Sequence, residues 1–221
     1  MQFVHLMNGS SKMRWKRFGQ WFAFHLFGIS LAIFLVINST ILYRWTLSWN
    51  GVLSAVHLSE AQLMKNYHQL ISYLSFPWIT KLKMTNFTSS AAGLQHFSDV
   101  KKLFMLNDVV LLVSGILVFF FVRELVRTKT LWRVIRQMQV SLLVPVFVAV
   151  MMSISFDQFF IGFHEVLFRN DDWMFDPQKD PIITALPETF FLECFVLFFV
   201  LIEIYYLIFL WLGKKQLKNA H

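Results

Sequence analysis

Two histidines, His96 and His164, are the side chains best suited to move protons near neutral pH, because an imidazole titrates near pH 6.5. Asp99 lies three residues after His96. Asp157 and Asp171 lie seven residues before and after His164, a spacing that shares one face of a helix. A carboxylate that orients an imidazole is a common arrangement in general acid–base catalysis. These residues therefore predict a proton-transfer site.

The stretch FHEVLFRNDDWMFDPQKD, residues 163–180, is rich in acids although strongly apolar sequence lies on both sides of it. An ionisable side chain within lipid is costly unless it is paired or hydrated. We therefore expect these acids, and the two histidines with them, to lie where the chain leaves the membrane.

The composition predicts a membrane protein. Of the 221 residues, 57% are hydrophobic and 15% are charged, and the mean hydropathy is +0.55. A helix needs ~20 apolar residues to cross the hydrocarbon layer. We predict an all-α integral membrane protein, a single membrane domain of residues 1–221 with four transmembrane helices, at about 21–43, 103–122, 138–163 and 190–212.

The basic residues are segregated along the chain, so the net charge of +7 does not predict a nucleic-acid partner. They precede the first span, fill the link between the second and third spans, and follow the fourth. By the positive-inside rule these regions, with both termini, are cytoplasmic. The loops at 44–102 and 164–189 then face outward, the second of them acidic. The basic link between spans two and three is predicted to lie against anionic headgroups.

The first outward loop is predicted to form a small extracytoplasmic cap. Ser59 is a suitable N-cap for a helix over 60–74, whose apolar residues share one face and which ends before Pro77. Residues 78–84, WITKLKM, alternate as in a short strand.

Other chemistries fit the sequence less well. It has no GxSxG, no glycine-rich phosphate loop and no HExxH, and Cys194 lies in an apolar setting that suppresses thiol reactivity. A metal site made of His96, His164 and nearby acids stays open, because two histidines and a carboxylate are a sufficient ligand set. The candidate ligands of such a metal site lack the close sequence spacing of common metal-binding motifs.

Three segments carry a resemblance to a known family: FHEVLFRNDDWMFDPQKDPIITALPETFF (163–191), HFSDVKKLF (96–104) and, more weakly, NYHQLISYL (66–74). With four spans in matching order, the chain resembles the lipoprotein intramolecular transacylase (Lit) family of bacterial membrane enzymes. The resemblance implies an acyltransferase in the bacterial plasma membrane with its active site on the extracytoplasmic side. It implies no cofactor, and its partners are diacylglyceryl-modified lipoproteins and membrane lipid.

The resemblance also implies the reaction. The enzyme moves the sn-2 acyl chain of a diacylglyceryl-cysteine lipoprotein to the α-amino group of that cysteine, which leaves a lyso-form N-acylated lipoprotein. One of His96 and His164 is then the general base, and the other stabilises the oxyanion and returns a proton to the sn-2 oxygen as it leaves. Asp99 and Asp171 fix the imidazole tautomers, with Asp157 and Asp172 open as alternatives to Asp171. The candidate substrate-binding residues are Tyr67, Asp157, Asn170, Asp172 and Trp173.

Two alternatives from other classes remain at the level of sequence. The first is a non-catalytic membrane protein that binds lipoprotein or lipid, with histidines that sense pH. The second is a metal-dependent membrane hydrolase. Substitution of the histidines and removal of metal separate these alternatives from the transacylase.

Overall fold

The computed structural model describes residues 2–49 and 51–219, with side chains from residue 14 onward. The regular secondary structure of these residues is α-helix, with a 3₁₀ turn at Leu131–Arg133. The α-helices are α1 (Gln2–Ile37), α2 (Thr40–Trp49), α3 (Val52–Val56), α4 (Glu60–Ser75), α5 (Ala91–Arg127), α6 (Val134–Ser141), α7 (Leu143–Ile154), α8 (Phe156–Leu167), α9 (Ile182–Ala185) and α10 (Glu188–Lys218).

Four helical stretches are long and apolar enough to cross a membrane, which confirms the predicted number. They are Arg14–Ile37, Ala91–Arg127, Leu131–Ile154 and Glu188–Lys218. The predicted end of the third span at residue 163 is wrong. The helix breaks at Ser155, whose extended backbone (φ −155°, ψ 96°) separates α7 from α8. His164 therefore belongs to a separate twelve-residue helix.

The chain divides into two compact units. One comprises Met1–Ile33, Asp108–Pro145 and Leu201–His221, and the other comprises Phe34–Asn107 and Val146–Val200. The prediction of one membrane domain stays a prediction.

Aromatic packing holds the first unit together. The side chain of Phe24 is fully buried, and its ring centre lies 4.7 Å from that of Phe209. The Tyr205 hydroxyl donates a hydrogen bond to the Phe24 carbonyl at 3.1 Å. The Leu131 amide donates to the Gln216 side chain at 2.6 Å, which ties the 3₁₀ turn to α10.

The core of the second unit is built around α4. This helix begins with a capping box, in which Ser59 Oγ accepts from the Gln62 amide and Gln62 Oε1 accepts from the Ser59 amide, as the sequence predicts for its start. Its buried face includes Leu63, Leu70 and Leu74. The apolar face of α4 thus forms the surface against which the other elements of this unit pack.

The predicted strand at residues 78–84 is wrong, because this segment has no regular secondary structure. Its backbone has no partner strand, and long side chains hold the segment instead. Lys101 Nζ donates to the carbonyl oxygens of Phe76 and Ile79 at 2.9 and 2.5 Å. The Gln69 side chain bonds with the Thr85 amide and hydroxyl.

The start of α5 is fixed by a buried carboxylate. Asp180 is 2% exposed and accepts hydrogen bonds from the Ser90 amide at 2.7 Å and the Ser90 hydroxyl at 2.6 Å. Ser90 Oγ in turn accepts from the Gly93 amide at 3.0 Å, as an N-cap does. A β-carbon at position 93 would collide with the Asp180 carboxylate, so only glycine fits there. This contact anchors the helix that carries His96 six residues after its cap.

Candidate active site

The two histidines singled out by the sequence lie face to face. His96 projects from the second turn of α5 and His164 from the last turns of α8, and their ring centres are 6.0 Å apart. Both side chains are buried, with exposed fractions of 8% and 9%. Residues that are 68 positions apart in sequence thus form one pair.

The tautomer of His164 is set by a backbone carbonyl. Its Nδ1 lies 2.8 Å from the carbonyl oxygen of Phe160, one helical turn earlier. A carbonyl can only accept, so Nδ1 carries the hydrogen and Nε2 of the neutral ring has a free lone pair. Burial lowers the pKa of His164, and the hydrogen bond to Phe160 opposes part of that shift. The ring is therefore a neutral base at physiological pH.

Aromatic rings fix the orientation of both imidazoles. Trp173 stacks on His164 with ring centres 4.8 Å apart and an interplanar angle of 29°. Phe168 and Phe175 lie edge-on against His96 at 4.8 and 5.4 Å. Each imidazole thus has little freedom to rotate.

His96 differs from His164 in its hydrogen bonding. Its Nδ1 is buried and has no hydrogen-bond partner among the residues that the structure describes. A buried N–H without a partner is rarer in proteins than a buried acceptor without one. The favoured tautomer of His96 is therefore protonated on Nε2, which makes this ring a hydrogen-bond donor.

Asp99 forms its hydrogen bonds with groups other than His96. Its carboxylate accepts from the Gln95 side chain at 3.2 Å, from Lys102 Nζ at 2.8 Å and from the Asn170 side chain at 3.3 Å. The contact with Asn170 ties the loop after α8 to α5. Asp99 and Asn170 therefore hold together the two segments that carry the histidines.

The other predicted acids form no hydrogen bond with either imidazole in the part of the chain that the structure describes. Asp171 does not share a helical face with His164, because α8 ends at Leu167 and the chain then turns. Asp172 is in that turn, where its amide donates to the Asn170 side chain at 3.2 Å. Asp157 shares α8 with His164, but its carboxyl group meets that of Glu188.

Tyr67 lies in the apolar core of its unit. Its ring stacks on Tyr43 with centres 4.1 Å apart and meets Phe190 edge-on at 6.0 Å. Burial raises the pKa of Tyr67, so its hydroxyl stays protonated. The ring contacts found in residues 14–49 and 51–219 include none between Tyr67 and either paired histidine.

The comparison with protein families gives a match over most of the chain. The model of the family described as "Lipoprotein intramolecular transacylase Lit" matches residues 18–191. The chain belongs to the Lit family. It is therefore an acyltransferase. A search of curated protein sequences finds no match.

Solved structures of a Lit protein have the same fold. The membrane-integral lipoprotein intramolecular transacylase Lit from Bacillus cereus matches with a TM-score of 0.89 at 24% identity, over 96% of this chain and 98% of the other. A variant of that protein with one histidine replaced by arginine matches with a TM-score of 0.84 at 23% identity, over 100% of this chain and 98% of the other. A variant with alanine instead has a TM-score of 0.83 at 24% identity, over 98% of each chain.

For this Lit-family chain, the structure also bears on the metal alternative. Among the residues it describes, no group of three or more His, Cys, Asp or Glu side chains is arranged to hold a metal ion. Cys194 packs against the apolar core of its unit.

Several residues of this Lit site are not indicated by the sequence. Phe168 and Phe175 touch His96, yet in the sequence they read as ordinary apolar positions. The sequence does not indicate that the Phe160 carbonyl belongs to the site, because any histidine in a helix has a backbone carbonyl four residues earlier. Asp180 and Ser90 are 90 residues apart, and although Asp180 ends the acidic stretch 163–180, nothing in the sequence pairs it with Ser90.

Proposed function

We propose that this chain transfers the sn-2 acyl group of a diacylglyceryl-cysteine lipoprotein to the α-amino group of the same cysteine. The product is a lyso-form lipoprotein with an N-linked acyl chain. The observation that carries the proposal is the pair of buried imidazoles, one a base and the other a donor, with ring centres 6.0 Å apart.

His164 starts the reaction as general base. An α-amino group has a pKa of ~7.7 to 8.0, so its ammonium form gives one proton to water at small cost and leaves a neutral amine. The amine nitrogen then forms a bond to the sn-2 ester carbonyl carbon of the same molecule, while the free Nε2 of His164 takes a second proton from that nitrogen. Because attack is intramolecular, correct positioning supplies a large share of the acceleration.

His96 stabilises the charge that develops. As the nitrogen–carbon bond forms, the carbonyl oxygen becomes an oxyanion and accepts a hydrogen bond from the Nε2–H of His96. A neutral His96 with an unpartnered Nδ1 has no source for a replacement proton, so it does not act as the acid. The protonated His164 returns its proton to the glycerol oxygen as the carbon–oxygen bond breaks. Apart from the one proton that the ammonium group gives to water, no atom is gained or lost.

The remaining site residues position the substrate and the two rings. Trp173 and Asn170 shape the wall on which the glycerol headgroup lies, with Asp172 in the turn between them. Asp99 joins α5 to this loop. Tyr67 supports the apolar core of its unit, and Asp157 pairs with Glu188.

The substrate reaches the site from the outer leaflet of a bacterial plasma membrane. The distribution of basic residues supports this orientation, with both termini in the cytoplasm and the loops at 44–102 and 164–189 outside. A lipid-anchored protein substrate already lies at that surface, and its acyl chains remain in the bilayer during the reaction.

Mass spectrometry of one N-terminal lipopeptide tests the proposal. The lipopeptide is isolated from cells that lack their own N-acylation, with and without this chain expressed. Its total mass should stay constant, while mild alkaline hydrolysis, which cleaves esters and spares amides, should leave one acyl chain on the product and none on the substrate. A mass loss of one acyl group, without an amide-linked chain, would instead indicate a hydrolase.

Two further arms separate the mechanisms. A mixture of two lipopeptides of different length, one with deuterated acyl chains, should give no crossed product if the transfer is intramolecular. Treatment of the purified enzyme with a strong chelator should leave the rate unchanged. Loss of activity with chelator, restored by one metal, would favour the metal-dependent hydrolase.

A further inference from the structure

An apolar groove runs along α5 in the unit that does not contain His96 and His164. The groove has a volume of about 590 Å³ and lies between Phe27 of α1 and the face of α5 formed by Gly115, Val118 and Phe119. A second groove of about 560 Å³ shares Gly115 and Phe119 with it and continues towards Leu111. Together they follow α5 from Leu111 to Arg127, roughly 24 Å at 1.5 Å per residue. That length exceeds the hydrocarbon depth of one leaflet, roughly 15 Å.

The shape of the groove depends on a missing side chain. A β-carbon at position 115 would lie 3.1 Å from the ring of Phe27, closer than an unstrained contact. The absence of a side chain at Gly115 leaves the two grooves continuous. A branched side chain at this position would fill the space where they meet.

Two arginines line one end of the groove. Arg123 and Arg127 are four residues apart, so they lie on the same face of α5. The acid between them, Glu124, is engaged elsewhere, with Lys16 Nζ at 3.9 Å and with the Gln20 side chain. The ion pairs found in residues 14–49 and 51–219 include neither arginine.

An apolar channel that ends at two guanidinium groups complements a lipid with a negatively charged head. Guanidinium binds phosphate oxygens in a bidentate manner, and it repels the quaternary ammonium of a zwitterionic head. We propose that this groove binds an anionic glycerophospholipid, with one acyl chain along α5 and its phosphate between Arg123 and Arg127. This inference is independent of the acyl-transfer site.

Native mass spectrometry of the full-length protein tests the proposal. Detergent-solubilised protein is titrated with phosphatidylglycerol or with phosphatidylcholine of identical acyl chains. We expect one phosphatidylglycerol to stay bound at a collision energy that removes phosphatidylcholine. Arg123→Gln/Arg127→Gln should lower the retained phosphatidylglycerol at least tenfold.

The control variant Arg133→Gln/Arg136→Gln removes the same two charges from residues that do not line the groove, and it should retain the lipid. Equal retention of the two lipids, or equal loss in the two double variants, would overturn the proposal, because binding would then follow net charge alone. Gly115→Leu, which fills the groove, should also release the lipid, and full retention by a folded Gly115→Leu would overturn the placement of the acyl chain. If Gly115→Leu does not fold, the comparison of the two arginine double variants still tests the proposal, because Arg123 and Arg127 are exposed.

Discussion

The rings of His96 and His164 face each other 6.0 Å apart, yet only His164 has a hydrogen-bond partner for its Nδ1. This difference assigns different tasks to two side chains of the same type. Glutamine and asparagine can separate the tasks, because the amide nitrogen of glutamine lies near the Nε2 position of histidine and that of asparagine lies near Nδ1.

We expect His164→Gln to lower kcat/KM by roughly 10²- to 10⁴-fold, the usual contribution of a general base, since an amide cannot take a proton. His96→Gln should retain most of the activity because it still donates a hydrogen bond. His96→Asn should lose roughly 10²- to 10³-fold, as expected for removal of one oxyanion donor. Rates of lipopeptide conversion check this, with the exposed His68→Gln as the control. Equal losses in the two glutamine variants would contradict the assignment.

Trp173 should affect the rate through its contact with His164. Trp173→Ala removes the ring that stacks on the imidazole at 4.8 Å, and we expect a decrease in kcat of roughly 10- to 100-fold from misplacement of the base. Trp173→Phe keeps a flat ring and should keep most of the activity. The matched control is Trp78→Ala, since Trp78 is 73% exposed. If Trp173→Phe were as slow as Trp173→Ala, stacking would not be the cause.

His164 should titrate below pH 6.5, because burial lowers its pKa more than the Phe160 carbonyl raises it. The base therefore stays neutral at pH values just below 6.5. As the pH falls further, the unfolded chain takes up a proton before the folded one, so this histidine lowers the free energy of unfolding between about pH 6.5 and its folded pKa. Imidazole ¹⁵N shifts measured against pH check the midpoint, with His164→Gln to assign the signal. A midpoint at or above 6.5 would refute the prediction.

The buried contact between Asp180 and Ser90 should be worth about 2 kcal/mol to the free energy of unfolding, as expected for hydrogen bonds to a buried charge. We expect Asp180→Asn and Gly93→Ala to lower the melting temperature and to reduce activity, because both displace the start of α5. Asp176→Asn, at a less buried position of the same loop, and Gly19→Ala, where no atom lies within 4 Å of an added β-carbon, are the controls. Thermal unfolding in detergent measures the difference, and unchanged melting of Asp180→Asn would exclude the anchor.

Cys194→Ala should leave the rate of acyl transfer unchanged. The amine attacks the ester directly in the proposed reaction, so no enzyme thioester forms. Conversion of the lipopeptide by the variant checks this, together with intact mass of the wild-type enzyme during turnover. An increase by one acyl group on the wild-type chain, lost in Cys194→Ala, would require a two-step mechanism.

The four apolar spans could be predicted from the sequence because the length and continuity of apolar segments determine them. The break at Ser155 could not, since neither proline nor glycine marks it. Tertiary packing selects it: Phe156, Phe159 and Phe163 of α8 all contact the ring of Phe195. A contact of this kind has no local signature.

The histidine pair could be predicted from residue type and depth, but its partners could not. Spacing placed Asp99 and Asp171 beside the imidazoles. Asp99 binds Lys102 instead, because a cation one turn away is a stronger partner than a neutral ring. The Nδ1–H of His164 donates to the backbone carbonyl of Phe160, and every residue has such a carbonyl. The alternation of residues 78–84 likewise does not describe their burial, because Ile79, Leu82 and Met84 pack against the core while Trp78 and Thr80 are exposed.

The segment between α4 and α5 has a practical consequence for experiments on this protein. Its backbone is irregular, but side chains of the flanking helices bind it at both ends, Lys101 at Phe76 and Ile79 and Gln69 at Thr85. This segment is therefore not a flexible linker, although it lacks regular secondary structure. Epitope tags and protease sites inserted here would break these bonds, and the exposed Lys81 and Lys83 should be cut by trypsin far more slowly than their exposure suggests.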